Sequence, residues 1–213
     1  MRSAPTSSRA FAVSGLAIAL ALPALATCRV GFTDNTAAVA LALTPWLTLM
    51  WVAGVERRSL SSIGLRRPHW SFLPLGLVGV AVNVTITAVV TALCARAGLL
   101  ETQSALMGRL LQGPGLILVL LATNGALLTE ISFRAFALER LADSAKLAAS
   151  LQVVITTAIF IAGRGWAHGL VWLVDDLVFT LYYLRTRNTP VCIAAHAIPN
   201  LFASSVVALG LAS

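Results

Sequence analysis

Apolar residues in this chain form long uninterrupted runs, unlike the alternating or helical-face patterns of a soluble domain. A run of about 20 apolar residues crosses a bilayer as an α-helix. The chain contains seven such runs, at residues 10–28, 36–55, 71–95, 114–138, 147–166, 169–184 and 189–211. The pattern predicts an all-α, polytopic membrane protein with about seven transmembrane helices, forming a single transmembrane domain over residues 1–213.

Composition supports this class and excludes others. Apolar residues make up 58% of the chain and charged residues 11%, against roughly half and a quarter in soluble domains. A disordered chain, a collagen-like fibre and a coiled coil are therefore excluded. The net charge of +7 does not indicate nucleic-acid binding, because the basic residues lie in short clusters between apolar runs. Cys28, Cys94 and Cys192 lack metal-ligand spacing, and we expect them to pack in the core.

Basic residues predict the orientation, because cytoplasmic loops are enriched in Lys and Arg. With a cytoplasmic N-terminus, eleven of the fifteen basic residues fall on the cytoplasmic side. This orientation predicts that the loop 56–70 is cytoplasmic and that Ser213 lies outside. As a separate expectation, the protein is integral to a membrane, which we expect to be a bacterial inner membrane. The first run is interpreted as an uncleaved span, and the alternative is a signal peptide preceded by Arg2 and Arg9.

Ionisable groups inside the spans are candidate functional residues, because their burial in lipid is costly. In the fourth run Glu130 and Arg134 are four residues apart and share a helical face. An internal ion pair would explain these two residues equally well. In the seventh run His196 and Asn200 share a face in the same way. A single His there could instead be a helix-packing partner.

The sixth apolar run is short and is interrupted by two charged residues, Asp175 and Asp176. Their side chains point about 100° apart on a helix, so both cannot face one partner. At about 1.5 Å per residue, Glu130 and Asn200 lie about 16 Å from the predicted cytoplasmic helix ends, Asp176 about 14 Å and His196 about 10 Å. Three helices thus contribute to one polar layer. By the same count His168 is about 31 Å away, near the outer surface.

Three stretches together resemble the CPBP family of CAAX proteases and bacteriocin-processing enzymes, which are glutamic-type, Abi-like intramembrane proteases. Residues 62–68 are similar to the family's cytoplasmic loop. Residues 129–134, Thr-Glu-Ile-Ser-Phe-Arg, are similar to its E-E-x-x-F-R motif. Residues 183–186 and 196–200 are similar to its Y-L-R-T segment and its H-x-x-x-N motif. The resemblance covers about residues 60–205.

The resemblance implies an intramembrane endopeptidase. In that family a Glu and a His activate a water for attack on the peptide carbonyl, and a second His and an Asn stabilise the oxyanion. His196 and Asn200 would be the oxyanion pair, Glu130 would be the second Glu of its motif, and Arg134 would orient that motif. A buried carboxylate can act as a base near neutral pH, and preorganised donors stabilise developing charge.

Two motif positions depart from the family. Thr129 stands where the family has its first Glu, and Phe160 is followed four residues later by Arg164 where the family has His. In the family a Gly-Trp pair commonly follows this His. If Gly165 and Trp166 are aligned with that pair, Ile161 takes the position of the His. If residues 166–168 are aligned with the motif instead, His168 is retained and Arg164 takes the position of the Phe.

These departures predict a remodelled base supplied by Glu130, Asp175 or Asp176. At least one of the two aspartates is then expected to pair with Arg134 or to hydrogen-bond to His196.

Three functions stay open at this point: the endopeptidase, an inactive family member that binds a membrane peptide or partner protein, and a small transporter with proton-relaying acids. A transporter would be expected to show paired, broken half-spans. The partners expected are membrane lipid and a peptide or protein substrate, and no nucleic acid. No cofactor is assigned, and a metal stays an open question because the visible His and Glu residues are few for zinc.

Overall fold

The computed structural model describes residues 6–27, 34–98, 123–162 and 166–208. These residues are almost entirely helical, and this part of the chain contains no β-strand. The all-α prediction is therefore confirmed. Cys94 and Cys192 are buried free thiols, as expected for packing residues, and Cys28 lies outside the described residues.

Seven helices occur within the described ranges, and several contain wider π-helical turns. In chain order they are α1 (Thr6–Leu16, π-helical Ala17–Ala21 and Leu22–Thr27), α2 (Asp34–Met50 and π-helical Trp51–Val55), α3 (Leu73–Arg96), α4 (residues 123–127, π-helical Leu128–Leu138 and Glu139–Ala145), α5 (Ala149–Ile161), α6 (Trp166–Thr186) and α7 (Thr189–Ala208). Two short 3₁₀ turns, Leu60–Ile63 and Trp70–Phe72, lie in the loop between α2 and α3.

Each helix corresponds to one predicted apolar run, although residues 114–122 of the fourth run lie outside the described residues. Asp175 and Asp176 shorten the sixth apolar run to residues 169–184 but do not interrupt the helix, because α6 continues through both as one 21-residue helix. The helix tolerates them because each carboxylate accepts a hydrogen bond from a neighbouring helix, Asp175 from Asn83 and Asp176 from Arg134. One difference is that α5 ends at Ile161, before the predicted end at residue 166.

Helix α4 is the central helix of the bundle and contacts α1, α2, α5, α6 and α7. Every residue of its π-helical segment Leu128–Leu138 is buried. On one side Phe136 packs with Val52, Tyr183 and Val191. On another side Phe133 packs with Leu20 and Phe160, and the rings of Phe133 and Phe160 meet edge to face at 5.4 Å. The central position of α4 explains why its polar residues are cut off from solvent.

The bundle exposes many apolar side chains on its surface and buries several charged side chains in its interior. The segment Trp70–Arg96 is 27 residues long and has the length and apolarity needed to cross a membrane. Many of its large apolar side chains are exposed, including Leu75, Leu77, Val78, Val82, Val84, Ile86, Val89 and Leu93. Glu130, Arg134 and Asp176 are buried. This distribution reverses that of a soluble protein and is the one expected in lipid.

Other apolar helical stretches in the described residues are shorter than a full span. They are Phe11–Ala26, Val39–Val55, Ala149–Ile161 and Thr189–Phe202.

One end of the bundle is built from the loop 56–69, the end of α4 and the turn between α6 and α7, and we call it the basic end because of its arginines. The hydroxyl of Thr189 donates to the carbonyl of Ile63 at 2.6 Å, and its N–H donates to the carbonyl of Gly64 at 3.0 Å. Gly64 has a φ of 71°, and a Cβ there would lie 2.8 Å from the Thr189 hydroxyl. Glycine is therefore required for the loop to approach α7 this closely.

Candidate active site

Glu130 is a fully buried carboxylate with one bonded oxygen and one unbonded oxygen. Its Oε1 accepts a hydrogen bond from Arg134 Nη1 and lies 2.7 Å from His196 Nδ1. Its Oε2 is buried and has no hydrogen-bond partner among the described residues. The expected proximity of His196 to Glu130 is confirmed, because the imidazole is buried against the carboxylate and does not face lipid.

Arg134 links this carboxylate to a second one on α6. Its Nη2 donates to Asp176 Oδ1 at 3.1 Å, and its Nε donates to the hydroxyl of Thr180 at 3.4 Å. The other oxygen of Asp176 accepts a hydrogen bond from the Thr157 hydroxyl on α5. The expectation that an aspartate of α6 pairs with Arg134 is confirmed for Asp176. Both oxygens of Asp176 are occupied, in contrast to those of Glu130.

The charges of this cluster nearly balance inside the bundle. Glu130 and Asp176 carry two negative charges, and Arg134 carries one positive charge. Arg134 is therefore the cation shared by the two carboxylates, one on its own helix and one on α6. The arrangement is chemically suited to holding and passing a proton between a carboxylate and an imidazole.

An aromatic ring positions both the imidazole and the guanidinium. Phe179 on α6 stacks on the ring of His196, with centroids 4.5 Å apart and planes inclined by 14°. The guanidinium carbon of Arg134 lies 5.3 Å from the centroid of the same ring. Phe179 was not among the residues predicted from the sequence. It follows Asp176 by three residues and Thr180 follows Asp176 by four, so all three share a helical face.

Thr129 occupies the motif position at which the CPBP pattern has its first Glu. Its hydroxyl donates to the carbonyl of Gly125 at 2.9 Å and lies 3.3 Å from His196 Nδ1. It therefore faces the cluster but cannot supply a carboxylate.

The remaining candidates are not brought into the same contact network. Asp175 accepts from Asn83 Nδ2 on α3 at 2.8 Å, and its Oδ2 is buried without a partner among the described residues. Asn200 is half-buried on α7, and no hydrogen bond joins it to another described residue. The backbone of His168 lies in the first turn of α6, but its side chain and the whole of Arg164 lie outside the described residues. No group of three His, Cys, Asp or Glu side chains in the described ranges has the geometry of a metal site.

Comparison with known families identifies the segment that carries this cluster. The family model for Rce1-like type II CAAX prenyl endopeptidases matches residues 111–202. The resemblance to the CPBP family is confirmed. No curated protein and no solved structure matches the chain. The matched segment contains Glu130, Arg134, Asp176 and His196, and the Rce1-like family that it resembles is membrane-embedded.

Proposed function

We propose that this protein is an intramembrane peptide hydrolase in which Glu130 activates the attacking water. The single observation that carries this proposal is the unpartnered Glu130 Oε2, which is buried on the same carboxylate that contacts His196 and Arg134. A buried carboxylate oxygen needs a donor, and a water molecule that bonds there would lie beside the base. Asp176 is less suitable as the base, because Arg134 and Thr157 already occupy both of its oxygens.

In the proposed reaction Glu130 accepts a proton from the water, and the oxygen of that water attacks the carbonyl carbon of the scissile peptide. The proton is then delivered to the leaving amine, either by Glu130 or through His196. General acid–base catalysis of this kind contributes about 10²- to 10⁴-fold to the rate. Arg134 holds the carboxylate, and Asp176 holds Arg134.

The proposed oxyanion donors are His196 and Asn200, which lie one helical turn apart on α7. If its Nδ1 proton is directed at Glu130, His196 donates to the substrate through Nε2–H of the protonated imidazole, because Nε2 of the neutral ring would then only accept. Asn200 forms no hydrogen bond with the described residues and would therefore have its amide free for substrate. One such donor is worth about 10²- to 10³-fold in rate.

The substrate class proposed is a peptide held at the membrane, since the site is buried among helices with an apolar outer surface. The matching family model is that of prenyl endopeptidases, so a lipid-modified C-terminal peptide is the first probe. A bacterial inner-membrane location is part of the same proposal.

A second candidate function is supported by Thr129. Its hydroxyl is used by a backbone carbonyl of its own helix and lies beside His196, so the position of the family's first Glu holds no carboxylate. An inactive relative would retain the buried cluster as a structural element and would bind a membrane peptide or partner protein without cleaving it.

A cleavage assay distinguishes the two functions. The full chain, reconstituted in lipid vesicles, is incubated in ¹⁸O-water with farnesylated C-a-a-X peptides and unmodified apolar peptides, and new C-termini are detected by mass spectrometry. The hydrolase should give ¹⁸O-labelled products that disappear in Glu130→Gln and His196→Ala. Cys192→Ala, a buried substitution on α7, is the control and should retain activity. Absence of any Glu130-dependent product would overturn hydrolysis of these substrates and favour the binding protein.

A further inference from the structure

A polar pocket of about 340 Å³ lies at the basic end of the bundle. It is bounded by the loop 56–69, the end of α4 and the turn between α6 and α7. Its lining includes the side chains of Ser61, Ser62, Arg66, Glu139 and Arg187. None of these residues belongs to the buried cluster around Glu130, so the pocket requires a separate explanation.

The charge of the pocket is positive because its one carboxylate is already neutralised. Glu139 Oε1 accepts from Arg187 Nη1 at 2.5 Å and from the hydroxyl of Tyr183 at 2.8 Å. Arg66 pairs with no carboxylate among the described residues, and its Nε and Nη2 donate to the backbone carbonyl of Arg187 at 3.2 and 2.7 Å. These two bonds fix the guanidinium and leave Nη1 free to bind an anion.

Serine hydroxyls add neutral donors beside this guanidinium. The oxygen of Ser62 accepts from Arg140 Nη2 at 3.1 Å, so its own hydrogen is left to donate into the pocket. Ser61 is exposed at the same rim, where its hydroxyl lies 3.0 Å from that of Ser59. A guanidinium with neighbouring hydroxyls is a donor set suited to phosphate oxygens.

The surroundings of the pocket are those of a membrane interface. Leu60 on the loop 56–69 is 37% exposed, and Trp70, which directly follows that loop, is 56% exposed. Exposed tryptophan beside arginine is typical of the headgroup level of a bilayer. The loop is also held in place, because Thr189 bonds to the carbonyls of Ile63 and Gly64. A fixed basic pocket at this level would lie within reach of lipid phosphates, which anionic headgroups present at the membrane surface.

We propose that the pocket binds the phosphate of an anionic phospholipid headgroup. Arg66 and the serine hydroxyls contact the phosphate oxygens, and the acyl chains lie along the apolar outer surface of the helices. The bound lipid bridges the loop 56–69 and the α6–α7 turn and therefore stabilises the basic end. The proposal does not depend on catalysis by Glu130.

The experiment compares lipids on the purified full chain in detergent micelles. Phosphatidylglycerol, phosphatidylcholine and inorganic phosphate are titrated separately, and the melting temperature and the number of retained lipids in native mass spectra are recorded. Phosphatidylglycerol should raise the melting temperature and stay bound. Phosphatidylcholine and inorganic phosphate should do neither at the same concentration. An equal response to inorganic phosphate, or to the zwitterionic lipid, would overturn the lipid assignment.

Variants of two adjacent arginines locate the site. Arg66→Gln should weaken the apparent affinity for phosphatidylglycerol about fivefold or more, since it removes one basic contact to the phosphate. Arg67→Gln removes the same charge from the next, exposed residue, which does not line the pocket, and should leave the affinity within about twofold. Arg66→Lys keeps the charge and should recover part of the loss. If Arg66→Gln does not fold, Ser61→Ala should still weaken binding. Equal affinities for Arg66→Gln and Arg67→Gln would overturn the proposal.

Discussion

Glu130 and Asp176 lie in the same buried layer but differ in how many of their carboxylate oxygens already have a hydrogen-bond partner. Glu130 has one oxygen engaged by Arg134 and His196 and one with no partner. Asp176 has both oxygens engaged, by Arg134 and Thr157. A free oxygen can bind and deprotonate a water, whereas a fully engaged carboxylate can only hold its neighbours. At the residue scale the cluster thus favours Glu130 as the reagent and Asp176 as the anchor of Arg134.

This difference predicts unequal effects for two conservative substitutions. Glu130→Gln should lower kcat by about 100-fold or more, since an amide cannot act as the base. Asp176→Asn should lower kcat by only about tenfold, because its amide oxygen can still accept from Arg134. Both are measured in the vesicle cleavage assay. If Asp176→Asn is as inactive as Glu130→Gln, and Thr129→Glu restores it, the base is Asp176 instead.

Stability gives a test of the same cluster that needs no substrate. Arg134→Met leaves two buried carboxylates without their cation, and breaking a buried pair costs about 3–5 kcal/mol of unfolding free energy. Adding Glu130→Gln to Arg134→Met should recover part of this loss, because one uncompensated charge is removed. Unfolding is followed by titration with SDS in mixed micelles.

The matched control is the arginine of a solvent-exposed pair. Arg58 contacts Asp143 at 3.1 Å, and the two side chains are 37% and 54% exposed. Arg58→Gln should change the free energy of unfolding by less than about 1 kcal/mol. Equal effects of Arg58→Gln and Arg134→Met would show that the buried cluster does not stabilise the fold.

The sequence predicted part of this cluster. The four-residue spacings put Glu130 with Arg134 and His196 with Asn200 on shared faces, and counting along the helices put Asp176 at a similar depth. Thr157, Phe179 and Thr180 were not predicted, because their roles depend on the rotation of α5 and α6 relative to α4. An apolar run with no clear polar face does not fix that rotation. Which of the two adjacent aspartates faces Arg134 was open for the same reason.

At the scale of elements, the apolar runs predicted the helices well but not their internal geometry. Length and hydrophobicity determine where a span lies, so the seven helices of the described residues each match one apolar run. The 11-residue π-helical segment of α4 was not predicted, because nothing in the residues 128–138 distinguishes wide turns from ordinary ones. Such turns are uncommon and occur frequently at functional sites. Here the segment carries Thr129, Glu130 and Arg134.

Close approach of α3 to α6 and α7 depends on a glycine. A Cβ on Gly76 would lie 2.7 Å from the Tyr182 ring and 2.8 Å from the Cβ of Ala195. Tyr182 cannot easily move, since its hydroxyl donates to the carbonyl of Phe72 at 2.7 Å. Gly76→Ala should therefore lower the free energy of unfolding by about 1–3 kcal/mol, as overpacking does.

The control for Gly76→Ala lies three residues further along the same helix. A Cβ on Gly79 would meet only Val178, at an ordinary contact distance of 3.5 Å. Gly79→Ala should leave stability unchanged or raise it by up to about 1 kcal/mol through helix propensity. Equal effects of the two substitutions, measured by the same SDS titration, would show that α3 is not tightly packed at Gly76.

The whole molecule combines an apolar exterior, a polar interior and one strongly basic end. Composition and loop charges predicted the exterior and the basic clusters, and the depth count predicted that polar residues of three helices share one layer. The contacts within that layer needed the helix packing, which brings α4, α5, α6 and α7 together. Two different parts of α4 serve the two proposed sites. Glu139 lines the proposed lipid pocket at the basic end, and Glu130 lies in the proposed catalytic cluster.

The orientation of the molecule is a prediction that labelling can test on α3. This helix has 24 residues, about 36 Å at 1.5 Å per residue, which exceeds the roughly 30 Å hydrocarbon core.

Arg67 and Ala97 are exposed just beyond its two ends. Because the arginines of the loop 56–69 favour the cytoplasm, Arg67→Cys should react with an impermeant maleimide only in inverted vesicles. Ala97→Cys should react only in intact spheroplasts. Both are made in a background with the native cysteines replaced. Labelling of both from one side would show that α3 does not cross the membrane, and the reverse pattern would invert the predicted orientation.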